Sequence, residues 1–120
     1  MKVALLVSGN LGFELFKLLE KEVDLAAVLT DKGSETISSF AQEKSIPCFS
    51  GNPRNGKAVK FIQGIEVDLL LSINYLFLVE EDIINWPTMA AVNFHGSLLP
   101  KYRGRTPHVW AIINLSLIHI

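Results

Sequence analysis

Lys2-Val3-Ala4-Leu5-Leu6-Val7-Ser8-Gly9-Asn10-Leu11-Gly12 sets an aliphatic run of strand length against a small-residue turn that opens a helical pattern. The unbroken apolar run from Val3 to Val7 suits a strand covered by helices on both faces. The same rhythm repeats along the chain. Strands are expected near Lys2 to Val7, Leu25 to Thr30, Pro47 to Phe49, Val67 to Ile73 and Ala90 to Phe94. Segments of helical period separate them, and that alternation predicts βαβ units: an α/β fold built on a doubly wound, Rossmann-like parallel sheet.

Three surface helices are expected between the strands. The first, roughly Gly12 to Lys21, places Leu11, Leu15, Leu18 and Leu19 in one stripe at steps of three and four. The second follows Ser34-Glu35-Thr36 and carries Ile37, Phe40 and Ala41 on one side. The third runs from about Lys57 to Gln63, with Val59 and Ile62 paired and Gly64 as its stop. Ser50 to Gly56 is turn chemistry throughout and reads as a loop.

The last residues depart from this rhythm. Pro107 to Asn114 reads as a helix opened by a first-turn proline. Leu115-Ser116-Leu117-Ile118-His119-Ile120 then looks foreign, matching in-frame read-through of a transposase adapter used in sequencing-library preparation. The expectation is one domain over residues 1–114, truncated on its C-terminal side, followed by a non-native tail over 115–120. The alternative is a genuine apolar tail that adds an edge strand, and His119 receives no functional weight either way.

Composition narrows the class further. The chain has 120 residues, 11 Lys+Arg against 12 Asp+Glu, 49% hydrophobic and 19% charged residues. That size carries one domain, and that apolar fraction argues against disorder. A net charge of −1 lacks the basic balance of a general nucleic-acid or membrane-surface binder. A single cysteine, Cys48, allows neither an internal disulfide nor a multi-cysteine zinc site, which suits a reducing compartment. The first apolar run is shorter than a signal-peptide core. The longest uncharged stretch, from Ile83 up to Lys101, is broken by Asn, Pro, His, Gly and Ser and suits no membrane span. A cytoplasmic protein without a membrane partner is expected.

The chemistry-bearing stretch is Asn93-Phe94-His95-Gly96-Ser97-Leu98-Leu99-Pro100-Lys101-Tyr102-Arg103-Gly104-Arg105-Thr106-Pro107. It follows the fifth strand directly, at a carboxyl end, where open α/β sheets place their ligands. Asn93 and His95 are two apart, so in extended backbone both side chains point the same way. An amide donor and an imidazole side by side could stabilise an oxyanion and move a proton in acyl transfer. Each residue alone would also suit a structural role, the histidine bonded to backbone and the asparagine capping the strand end.

The whole string closely resembles the formyltransferases that use 10-formyltetrahydrofolate. That family comprises methionyl-tRNA formyltransferase, glycinamide ribonucleotide formyltransferase and the amino-sugar N-formyltransferases. The resemblance rests on Asn93, His95, Ser97 to Pro100 and Tyr102 to Gly104. It implies the N-terminal part of a formyltransferase catalytic domain, with Asn93 and His95 catalytic and 10-formyltetrahydrofolate as the formyl donor. In the family an amine attacks the formyl carbon, and the asparagine and histidine stabilise the oxyanion and pass the proton that lets tetrahydrofolate leave. The family's third catalytic residue is an aspartate further along, and no aspartate follows His95 here. An imidazole without its orienting carboxylate loses control of tautomer and charge, so this chain alone is expected to be a weak catalyst or an inactive, folate-binding fragment.

The resemblance also implies a folate-binding role for the loop after the fourth strand, Leu76, Phe77, Leu78 and Val79, with the opposite wall coming from beyond Asn114. Ordinary core burial is the alternative. Leu76 and Phe77 stand where many members carry arginine or histidine. Ser97, Tyr102, Arg103 and Arg105 are the candidate acceptor-binding residues, because arginine forks suit phosphate groups. Tyr102-Arg103-Gly104-Arg105 and His95-Gly96-Ser97 lean toward members acting on nucleotide-linked amino sugars, with methionyl-tRNA as the alternative acceptor. The complete enzyme could be a homo-oligomer.

Other signals are weaker. Ser8-Gly9-Asn10-Leu11-Gly12 with Asp31 imitates a dinucleotide fingerprint without meeting its glycine pattern, which keeps an NAD-binding module as a different-class alternative. Trp86 and Trp110 read as core before ligand stacking. Nothing marks Cys48 as activated, and no metal is expected.

Overall fold

The computed structural model describes residues 1–94, 110–113 and 116–119. Five strands, β1 (Lys2–Val7), β2 (Asp24–Thr30), β3 (Cys48–Ser50), β4 (Leu69–Ile73) and β5 (Ala90–Phe94), form a parallel sheet. Two further strands, β6 (Trp110–Ile113) and β7 (Ser116–His119), extend it antiparallel, giving the order β3-β2-β1-β4-β5-β6-β7. Four helices accompany the sheet: α1 (Gly9–Glu22), α2 (Glu35–Glu43), α3 (Val59–Gln63) and α4 (Glu81–Ile84). The strand order reverses between β1 and β4, the topological switch point of a doubly wound fold.

The two-residue period of β1 divides the core. Leu5 and Val7 face α1 and α2 together with Phe16, Val28, Ile37 and Ala41. Ala4 and Leu6 face the other side with Leu29, Leu70, Ile83 and Ala91. Both faces of the strand are dry, which is why its sequence is continuous rather than alternating. α1 and α2 dock through aromatic edges, with Phe40 perpendicular to Phe13 at 5.8 Å and to Phe16 at 5.0 Å.

α1 presents a different stripe from the expected one. Gly12 and Phe16 are its buried residues, Phe13 and Leu19 pack beside them, and Leu11 and Leu18 are exposed. Gly12 sets this phase, because a Cβ there would meet the Val7 Cβ at 3.0 Å. Only a glycine lets the helix approach so closely, and Phe16, one turn on, then falls over the sheet.

The C-terminal expectation also changes. Within the segment read as a helix from Pro107 to Asn114, Trp110–Ile113 is a strand, paired antiparallel to β5. Trp-Ala-Ile-Ile is rich in strand-favouring residues, and β5 otherwise offers an unpaired ladder edge. Ser116–His119 pairs in turn with β6 as the last strand of that sheet edge.

At the amino ends of the strands, Asp68 ties three of them together. Its carboxylate accepts from the Lys2 backbone N–H at 2.9 Å and from the Thr88 hydroxyl at 3.0 Å. Those bonds, the Lys2 contact foremost, hold its carboxyl below the usual aspartate range. The opposite pole, at the carboxyl ends, carries the candidate site.

Candidate active site

Asn93 is the fourth residue of β5 and is buried, with 9% exposure. Its register partners are Ser72 on β4, itself 2% exposed, and the backbone of Trp110 on β6. The next row pairs Ile73 with Phe94, after which both strands end. The expected carboxamide therefore sits in the last buried row of the sheet, directly below its carboxyl rim. Phe94, one residue further, is half exposed on that rim.

The loop after β4 starts with Asn74, whose φ of 56° lies in the left-handed region that asparagine tolerates. From there the side chains alternate. Tyr75 is buried in the core and Phe77 and Val79 pack against it, with the Tyr75 and Phe77 rings perpendicular at 5.6 Å. Leu76 and Leu78 are 52% and 76% exposed. Phe77 and Val79 pack on the core, while Leu76 and Leu78 present apolar surface after the end of β4.

A polar network underlies this loop. The Ser8 carbonyl accepts from the Asn74 side-chain amide at 3.1 Å, and the Ser8 hydroxyl oxygen accepts from the Leu76 backbone N–H at 3.0 Å. Ser34 donates its hydroxyl to Asp31 at 2.7 Å and accepts the Gly9 backbone N–H at 3.0 Å. Gly9 turns the chain there with a φ of 72°. Burial pushes the Asp31 carboxyl up, but hydrogen bonds from Ser8, Ser34 and nearby backbone amides outweigh it and hold the group below the usual aspartate range. Asp31 was legible only as the acid of a dinucleotide fingerprint. The structure instead engages its carboxylate with the Ser34 hydroxyl, and Ser8 bridges the β1–β4 switch point where a dinucleotide would lie.

The remaining titratable groups point away from catalysis. Burial raises the Cys48 thiol despite the nearby Ser50 hydroxyl, so the nucleophilic thiolate is disfavoured. Burial, with a further contribution from the Asp31 charge, drives the Tyr75 phenol far above its ordinary value and keeps it neutral. Trp86 packs against the core and donates its indole N–H to the Ile65 carbonyl at 2.8 Å. Among the described residues, no group of three His, Cys, Asp or Glu side chains comes together to hold a metal ion. No helix among them is long and apolar enough to cross a membrane. His95, Ser97, Tyr102, Arg103 and Arg105 lie outside the described residues.

The fold is a doubly wound α/β domain, and its candidate site lies at the carboxyl ends of β1, β4 and β5. A family model described as formyl transferase matches residues 1–115, and the chain belongs to that family. A bifunctional polymyxin resistance protein, ArnA, from Wigglesworthia glossinidia brevipalpis is 35% identical over 124 residues, covering 95% of this chain. The chain spans only 19% of that relative's length. Among solved structures, glycinamide ribonucleotide transformylase 1 from Geobacillus kaustophilus superimposes with a TM-score of 0.60 at 16% identity. The match covers 92% of this chain and 71% of that one, a likeness of fold.

Proposed function

We propose that the protein containing this chain transfers a formyl group from 10-formyltetrahydrofolate to a primary amine on a nucleotide-linked amino sugar. The observation that carries this reading is the position of Asn93: a buried carboxamide in the last row of β5, beside an exposed apolar loop, in a chain of the formyl transferase family. Leu76 and Leu78 would hold the pteridine ring of the donor, which supplies the activated formyl carbon. Asn93 would donate its amide N–H to the negative charge that grows on the formyl oxygen as the amine attacks. His95 would take the proton from the attacking nitrogen and return it to the folate nitrogen as the carbon–nitrogen bond to the donor breaks. Arg103 and Arg105, with Ser97 and Tyr102, would bind the acceptor, and paired guanidinium groups favour a diphosphate.

The test is to incubate the natural full-length protein with 10-formyltetrahydrofolate and either a uridine-diphosphate amino sugar or methionyl-tRNA, and to weigh the products. A mass gain of one formyl group on the sugar nucleotide is expected. Formylation of methionyl-tRNA alone would move the acceptor to tRNA, and formylation of neither would overturn the reading.

A further inference from the structure

Ser8 stands at the N-cap of α1 with extended backbone, φ −144° and ψ 154°, yet its hydroxyl makes no capping bond to the helix. A serine there ordinarily bonds a first-turn amide. Here the hydroxyl oxygen accepts the Leu76 N–H at 3.0 Å, and the carbonyl of the same residue accepts the Asn74 side chain at 3.1 Å. Asp31, the residue after β2, anchors the turn that carries Ser8: the Ser34 hydroxyl donates to its carboxylate at 2.7 Å and accepts the Gly9 backbone N–H at 3.0 Å. Asp31, Ser34 and Gly9 thus hold in place the residue whose hydroxyl meets Leu76.

We propose that Ser8 and Asp31 are positioning residues for the formyl donor: through the Leu76 amide they set the height and orientation of the loop 74–79 against which the donor's ring lies. The inference rests on the donor reading above. Neither residue touches the reacting atoms. Tyr75, Phe77 and Val79 anchor the loop in the core, and the Leu76 N–H bond to Ser8 fixes where its exposed Leu76 end stands. Misplacing a binding wall by a fraction of an ångström weakens one substrate without touching the other.

The test measures KM for 10-formyltetrahydrofolate and for the amine acceptor in the full-length protein, with binding of 5-formyltetrahydrofolate as a probe independent of turnover. Ser8→Ala should raise the donor KM and the probe Kd about tenfold while leaving the acceptor KM within about twofold. It should melt close to wild type, since α1 loses no cap bond. Ser8→Thr keeps the hydroxyl on extended backbone that a β-branched residue tolerates, and should restore donor binding. Asp31→Asn, which keeps the Ser8 hydroxyl but weakens the Ser34 brace on the turn that carries it, should raise the donor KM severalfold and carries the test if Ser8→Ala unfolds. Wild-type binding of the probe with unchanged donor KM in Ser8→Ala and Asp31→Asn would overturn the positioning role alone. Equal losses for donor and acceptor would also overturn it. Failure of the wild-type protein to bind the probe would overturn the donor reading, and the positioning role with it.

Discussion

Ser72 and Asn93 are register partners across the β4–β5 ladder, so their side chains leave the same face of the sheet in its last buried row. A small neighbour leaves the larger carboxamide room at the end of the strand. Ser72→Val adds methyl groups to a position that is 2% exposed. It is expected to cost about 1–3 kcal/mol in a urea titration and to lower kcat by displacing the Asn93 amide. A stable variant with wild-type kcat would mean that Asn93 does not depend on this neighbour.

Leu78 tests the proposed donor-binding role of the loop against simple packing. It is 76% exposed, so Leu78→Ser is expected to change stability by no more than about 0.5 kcal/mol. The same substitution should raise KM for the formyl donor and leave KM for the acceptor unchanged. A large drop in the melting temperature with unchanged donor KM would assign the residue to packing instead.

Phe16 is fully buried and lies perpendicular to Phe40 at 5.0 Å. Phe16→Ala removes the largest side chain that α1 places over the sheet, and about 3–5 kcal/mol of stability should go with it. The urea midpoint at constant m-value reads this directly.

Much of this fold was readable from residue pattern. Continuous aliphatic runs gave the parallel strands, because only strands buried on both faces can be apolar at every position. The face of α1 was misread because leucine spacing looked decisive, whereas the missing Cβ of Gly12 against Val7 sets how close, and in what rotation, the helix sits. Trp110–Ile113 was misread because Pro107 suggested a helix start, while the open edge of β5 is a tertiary feature that no local pattern records. The place of Asn93 near the end of the fifth strand was legible, because Ala90 to Phe94 reads as a strand. The Ser8–Leu76 bond was not: residues 68 apart meet only because β1 and β4 are neighbours.

Acid should unfold the domain through two aspartates. Asp31 and Asp68 both have folded-state pKa values below their ordinary 3.8, so the unfolded chain binds protons first as pH falls. Their stabilisation is present in full above about pH 5 and is lost progressively as pH falls through the unfolded and then the lowered folded values. Urea midpoints measured across that range should fall more steeply for wild type than for Asp31→Asn or Asp68→Asn. Parallel slopes in all three proteins would contradict the assigned shifts.

The most direct measurement is the kcat/KM of formyl transfer by the full-length protein with Asn93 replaced by alanine, alongside a melting curve. Removing one donor from a developing oxyanion should cost about 10²- to 10³-fold in rate while the protein stays folded. A folded Asn93→Ala protein that turns over within about twofold of wild type would contradict the catalytic role proposed for Asn93.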